Sequence, residues 1–267
     1  MSDSSKKTVI AFDVYGTLLS TESIAKKLAS HFGQEKAQSM AATWRKYQLE
    51  YTWRLNSMSM INSVICDSNA TDVTKSRVPD QYEDFSALTL RSLKHTLAEA
   101  GESLKQSEID DLMKAYDSLS TFPEVGPALV ELAKHENITA VVFSNGTRKM
   151  VENSVNHSPD LAPHAKVFQH VVVVEKIKKF KPAPEVYYHL AETVGKGKDR
   201  KEMGQMWLVS GNPFDVVGAR AVGMQACWVD RAGNGWQDSV VEGGLGRPTA
   251  IVKGLDEVVD VVAKHAG

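Results

Sequence analysis

Three groups of polar residues each close an apolar run. Asp13 follows Thr8–Phe12, Ser144-Asn145-Gly146 follows Ile138–Phe143, and Ser210-Gly211-Asn212 stands at the end of Met206–Ser210. A carboxylate at the end of a buried strand is suited to displacing a leaving group or moving a proton. Hydroxyl and amide side chains beside it, with backbone N–H groups near Val14, Tyr15 and Asn145, can receive a small anion. Gly146 permits the close turn this needs. Taken alone, Asp13 is equally a turn or helix-capping carboxylate, and Ser144-Asn145-Gly146 an ordinary turn after a strand.

Residues in such positions need a scaffold of strands that all end on one side. The apolar runs Thr8–Phe12, Ile138–Phe143, Val167–Val174, Met206–Ser210, Met224–Asp230 and Thr249–Val252 read as strands, Val167–Val174 as a core strand and Thr249–Val252 more weakly. Helical patterns lie between them at Gly126–His135, Pro184–Val194 and Asp215–Val222. This alternation predicts an α/β protein with a doubly wound parallel sheet, a Rossmann-like core, whose ligand site lies beyond the C-terminal strand ends. From about Ser20 to Phe122 strands are nearly absent. Helical spacing recurs there in Ser39–Asn56, Phe85–Ala98 and Ser107–Ser118. The expected division is a core of residues 1–20 and 123–267, interrupted by a helical cap of residues 21–122 that covers the strand ends and excludes water. The Asn-, Ser-, Thr- and Asp-rich stretch Ser57–Pro79 reads as an insertion or loop.

Composition narrows the function classes. The 267 residues carry 31 Lys and Arg against 33 Asp and Glu, so no basic excess points to nucleic acid or an anionic membrane. Two cysteines, Cys66 and Cys227, form no disulfide framework or Cys-rich zinc site, and they read as thiols without a role. The eight histidines, among them His31, His95, His135 and His170, show no metal spacing. No apolar run reaches the roughly 18 residues of a membrane span, and no apolar stretch follows the basic N-terminus. A soluble, cytoplasmic protein is expected.

Phe12–Leu18, Phe143-Ser144-Asn145-Gly146, Lys181-Pro182 and Val209–Asp215 resemble, in order, the four motifs of the haloacid dehalogenase superfamily. Where superfamily phosphatases place a second aspartate two residues after the nucleophile, this chain has Tyr15. Where they place magnesium-binding acids, it has Ser210-Gly211-Asn212, with Asp215 remaining. That spelling is similar to the L-2-haloacid dehalogenase subfamily, as are Ala42–Trp53, with Arg45, and Cys227–Asn234.

The resemblance implies hydrolysis of short L-2-haloacids to D-2-hydroxy acids through an aspartyl ester, with no metal or other cofactor. Asp13 is then the nucleophile and Lys181 the cation that keeps it ionised and oriented. Lys176, Lys178 and Lys179 read as a solvated charged face. Ser144 and the Val14, Tyr15 and Asn145 amides receive the substrate carboxylate. Arg45, Asn212 and the ring edge of Phe214 receive the departing halide, a task suited to a weakly hydrated guanidinium. Phe214 reads equally as plain core. Asp215, with Ser210 and Thr17, holds or activates the hydrolytic water and braces Lys181. Tyr187 is implied to bond near this acidic site or, equally, to be a buried tyrosine satisfied elsewhere. Tyr15, Leu49 and Phe85 form an apolar wall.

Two departures fall in the cap: Lys46 stands where a glutamine is more usual, and Ser57–Asp80 has no counterpart. Trp44, Tyr47, Tyr51 and Trp53 offer a face for a homodimer. Two other readings compete. One is a magnesium-dependent phosphatase acting on a small phosphomonoester, against which Tyr15 and Asn212 argue. The other is a binding module that keeps the fold, which has no need of Asp13, Arg45, Ser144, Lys181, Asn212 and Asp215 together.

Overall fold

The β-branched run Thr8–Phe12 forms strand β1, buried from Val9 onward. In the computed structural model, which describes residues 7–64 and 82–265, β1 lies inside a six-stranded sheet. Its other strands are β2 (Ile138–Ser144), β3 (Phe168–Val173), β4 (Met206–Ser210), β5 (Gln225–Val229) and β6 (Ala250–Val252). The order is β3-β2-β1-β4-β5-β6, and every neighbouring pair is parallel. Phe12 lies level with Val142 of β2 and Val209 of β4. The residues that follow these three positions therefore emerge together. Strand order reverses at β1, where a crevice opens beyond the strand ends. Helices connect most of the parallel strands and flank the sheet.

Among the described residues, four helices precede the chain's return beside Leu19 at Thr121: α1 (Ala25–Phe32), α2 (Gln34–Val64), α3 (Phe85–Glu99) and α4 (Gln106–Tyr116). Gly33, at φ +77°, ends α1, and the Asp84 carboxylate caps α3 by accepting from the Ala87 N–H at 2.8 Å. One face of α2 is buried at Ala37, Met40, Ala41, Trp44, Gln48 and Thr52, a helical stripe that turns polar where it reaches the strand ends. The chain leaves and returns side by side. Leu19 bridges Thr121 antiparallel, and the Ser20 N–H donates to the Ser120 carbonyl at 2.8 Å. The remaining helices are α5 (Val125–Leu132), α6 (Arg148–His157), α7 (Pro184–Thr193), α8 (Arg200–Met203), α9 (Pro213–Ala221) and α10 (Val258–His265).

Several expectations need correction. Val167–Val174 is an edge strand rather than a core one, with Gln169 and His170 exposed, because β3 ends the sheet. Ser57 does not open a loop. Helix α2 continues to Val64, and residues 65–81 lie outside the described residues, as does Cys66. Trp44 is unavailable to a dimer face: it is buried, tilted against Tyr116, and donates its indole N–H to the Thr89 carbonyl at 2.8 Å. Tyr47 and Tyr51 both stack on His95, so that histidine belongs to an aromatic cluster of the helical segment. Among the described residues no helix is long and apolar enough to cross a membrane.

Candidate active site

The Asp13 N–H donates to the Val209 carbonyl at 3.0 Å, so Asp13 is the last residue held by the sheet. The Val14 carbonyl then accepts from the N–H groups of Thr17, Leu18 and Leu19, folding the chain back over the strand end. Gly16 makes this turn at φ +89°. The Asp13 carboxylate is left 6% exposed and is fully engaged. Oδ1 accepts from Lys181 Nζ at 3.0 Å, and Oδ2 accepts from Thr17 Oγ1 at 2.8 Å and Asn212 Nδ2 at 2.7 Å.

Lys181 is buried and donates all three ammonium protons: to Asp13, to Asp215 Oδ2 at 2.8 Å, and to the Phe143 carbonyl at 2.8 Å. Its nitrogen also lies 4.1 Å from the Phe143 ring centroid. Its backbone is held as firmly. The Lys181 N–H donates to Asn145 Oδ1 at 2.9 Å, and the peptide to Pro182 is cis. Asn56 of α2 grips the preceding residue, accepting from the Phe180 N–H at 2.9 Å and donating to its carbonyl at 2.7 Å.

Asp215 sits in the first turn of α9, wholly buried. Its second oxygen accepts from the Tyr187 hydroxyl at 2.8 Å. Burial pushes the Asp215 carboxyl up to about 6; Lys181 opposes the rise and the Asp13 charge adds to it. Burial, reinforced by the Asp215 charge, holds the Tyr187 hydroxyl well above the usual phenol range, so it stays a neutral donor. Gly218 faces the same group across α9. A Cβ there would collide with the Tyr187 hydroxyl and come within 2.7 Å of Pro182 Cβ.

Helix α2 carries Arg45 into this cluster. Nη2 donates to the Tyr15 carbonyl at 3.0 Å and to Asn212 Oδ1 at 3.3 Å, while Nη1 donates to Gln48 Oε1 at 2.7 Å. Asn212 thus presents its oxygen to the guanidinium and its nitrogen to Asp13 and the Tyr15 carbonyl. One amide joins the cation of the helical segment to the carboxylate of the sheet. Beside it the Tyr15 ring stacks on Phe85 at 5.5 Å and lies tilted against Tyr116 at 5.6 Å, and Phe85 meets Phe180.

The structure therefore gathers Asp13, Thr17, Tyr15, Arg45, Lys181, Tyr187, Asn212 and Asp215 into one connected cluster, with Phe85 on its wall. Ser144 and Ser210 lie at its base, their hydroxyl oxygens accepting from the Gly146 and Asn212 N–H groups at 3.0 and 3.1 Å. Val14 is buried in the turn after Asp13. Leu49 is half-buried one turn beyond Arg45. Phe214 is half-buried rather than core, edge-on to Trp53 of α2 at 5.4 Å. Cys227 is buried away from the cluster in β5, and burial pushes its thiol up to about 12.

Sequence reasoning missed Gln48, Asn56, Tyr116 and the pair Arg231–Glu124. Arg231 follows the end of β5 and ties together both passages between sheet and helical segment. It donates to the Thr17 carbonyl at 2.8 Å and to Glu124 at 2.6 Å, and stacks on Phe122 at 3.6 Å. A signal was present for Gln48, which lies three residues after Arg45 and so shares its helix face.

A buried carboxylate at the end of β1, a lysine bridging it to a second carboxylate, and a helical insertion over both mark a hydrolase built on a capped Rossmann-like sheet. The chain belongs to the haloacid dehalogenase-like hydrolases, whose family model matches residues 7–223. It is 31% identical to (S)-2-haloacid dehalogenase H-109 of Pseudomonas putida over 94% of this chain and 96% of that protein. It is also 31% identical to the (S)-2-haloacid dehalogenase of Pseudomonas sp. strain YL, over 97% and 95%. Among solved structures, an L-2-haloacid dehalogenase superimposes with a TM-score of 0.78 at 25% identity, covering 97% of this chain and 99% of the other.

Proposed function

We propose that the protein hydrolyses short L-2-haloacids to D-2-hydroxy acids through an ester on Asp13, without a metal, residues 1–20 and 123–267 forming the core and 21–122 the cap. The observation that carries this reading is the Lys181 ammonium held between Asp13 and Asp215, with Asn212 linking Asp13 to Arg45. A magnesium-dependent phosphatase would need oxygen ligands around the nucleophile. Here Asp13 faces N–H and O–H donors instead.

In the first step an Asp13 oxygen attacks C2 of the substrate in line with the carbon–halogen bond. The C–O bond forms, the halide leaves with the bonding pair, and C2 inverts. Arg45, Asn212 and Phe214 receive the halide; Ser144 and the Val14, Tyr15 and Asn145 amides receive the substrate carboxylate. Tyr15, Leu49 and Phe85 wall the alkyl side. In the second step water attacks the Asp13 carboxyl carbon, and the acyl–oxygen bond breaks. The product keeps the oxygen that Asp13 supplied. Of the two water protons, one goes to the departing alkoxide and the other leaves through Asp215, with Thr17 and Ser210 supporting the water. A carboxyl held near 6 is ionised at neutral pH and basic enough to take that proton. Tyr187 keeps Asp215 aimed.

A cytoplasmic location and a homodimer through the exposed side of α2, now without Trp44, complete the reading. The test is halide release from L-2-chloropropionate in EDTA, lost in Asp13→Asn. No halide above background from the unaltered protein sinks it.

A further inference from the structure

Beneath the cap arginine lies a fully buried amide that has only one way to point. Gln48 is 0% exposed. Its Oε1 accepts from two donors, Arg45 Nη1 at 2.7 Å and the Tyr116 hydroxyl at 2.9 Å. Its Nε2 donates to Thr89 Oγ1 at 2.7 Å. The Thr89 hydroxyl spends its own proton on the Phe85 carbonyl at 2.7 Å, so toward Gln48 it can only accept. That fixes the nitrogen of the amide on the Thr89 side and the oxygen on the Arg45 side. A flipped amide would set N–H against the guanidinium and its oxygen against the Thr89 oxygen, in a site too dry to repair the mismatch.

The same chain ends on the substrate wall. Phe85, whose carbonyl anchors Thr89, stacks on Tyr15, and the Tyr15 carbonyl accepts from Arg45 Nη2. Tyr116 closes a second path, bonding Gln48 and packing tilted against the Tyr15 ring. Buried hydrogen-bond chains of this kind hold a functional group in place when every member is satisfied. We infer that Gln48, oriented by Thr89, is the positioning residue for Arg45: it sets the guanidinium's place relative to the Tyr15–Phe85 wall, and with it the affinity for the departing halide. The inference deepens the dehalogenase reading and rests on it for the meaning of halide release.

Bromide binding needs no turnover and so separates this inference from that reading. Bromide titrations on the full chain compare the unaltered protein, Gln48→Met, Thr89→Val, Arg45→Ala and the double variant Arg45→Ala/Gln48→Met. Gln48→Met keeps the side chain's length and apolar bulk. Thr89→Val keeps volume and leaves Arg45 and Gln48 chemically intact. The expected result is a bromide Kd raised about 5- to 20-fold in Gln48→Met, a smaller rise in Thr89→Val, and no further rise in the double variant beyond Arg45→Ala alone. Turnover should follow in the same pattern, with the chloride-to-bromide substrate ratio falling in Gln48→Met because the poorer leaving group depends more on Arg45. Bromide affinity unchanged in both Gln48→Met and Thr89→Val overturns the inference. So do effects that multiply in the double variant, which mark a general packing defect, and so does an unaltered protein that binds no bromide. An unaltered protein that binds bromide but releases no halide from any 2-haloacid overturns the dehalogenase reading instead, while the binding cycle still decides the role of Gln48.

Discussion

Replacing Lys181 with Met removes one charge from a trio of two carboxylates and one ammonium, all buried. Asp13 and Asp215 bond the same nitrogen at 3.0 and 2.8 Å, so their oxygens lie within about 6 Å of each other. Two unit charges at that distance repel by about 3 kcal/mol at an effective dielectric of 20, equivalent to about two pKa units. Unpaired buried charges after loss of one partner cost about 3–5 kcal/mol in total. The variant escapes part of this by taking up a proton. Asp215, already up near 6 with Lys181 present, then titrates higher. A carboxyl whose folded pKa exceeds its unfolded value binds the proton more tightly when folded, so stability falls as pH rises between the two values. The unaltered protein should show this loss between about pH 4 and 6 and level off above. The variant should keep losing about 1.4 kcal/mol per pH unit past pH 7. Urea unfolding at pH 6 and pH 8 is the assay. The variant's deficit should be about 3–5 kcal/mol at pH 8 and smaller by about 2–3 kcal/mol at pH 6. A deficit under about 1 kcal/mol, or one independent of pH, refutes the reasoning.

Other perturbations test other contacts. Arg45→Lys cannot reproduce the fork that spans Gln48, Tyr15 and Asn212, and should cost about 10²–10³ in the rate of chloride release, measured in a single turnover. Asp215 must be ionised to take a proton, so kcat should fall as pH drops through about 6. Tyr187→Phe removes a donor to the ionised form and should move that acid limb upward; an unmoved pH–rate profile would count against Asp215 as the base. Gly218→Ala drives a methyl into Tyr187 and Pro182. It should destabilise by about 1–3 kcal/mol in thermal unfolding and copy the upward limb shift, whereas a neutral outcome contradicts the packing at α9.

The core was legible because a parallel sheet enforces it. Asp13, Ser144 and Ser210 each end an apolar run, and parallel strands bring such ends to one edge. Lys181 sits in a loop, and Tyr187 in a helix whose pattern says nothing of a bond to Asp215, so only the resemblance singled them out. The cap was harder to read. Gln48 and Asn56 are polar residues on a helix that binds through its buried side, and hydropathy assigns such residues to solvent. The run Val167–Val174 looked like core because its composition does not say that β3 is the last strand. The Asn- and Ser-rich texture after Ser57 suggested a loop, yet α2 runs on to Val64. Arg231 lies in the run Cys227–Asn234 that the resemblance singled out, but nothing there pointed to Thr17 and Glu124, which are far away in sequence and meet it only where the chain crosses between sheet and helices.

The central claim is that Asp13 itself is alkylated and supplies the product oxygen. A single turnover of L-2-chloropropionate with excess enzyme in ¹⁸O-water reads this directly by mass spectrometry of product and peptides. The account predicts a D-2-hydroxy acid whose hydroxyl carries ordinary oxygen, with one ¹⁸O gained in the peptide that contains Asp13. A product carrying ¹⁸O from the first turnover, with Asp13 unlabelled, would mean direct attack by water and would contradict it.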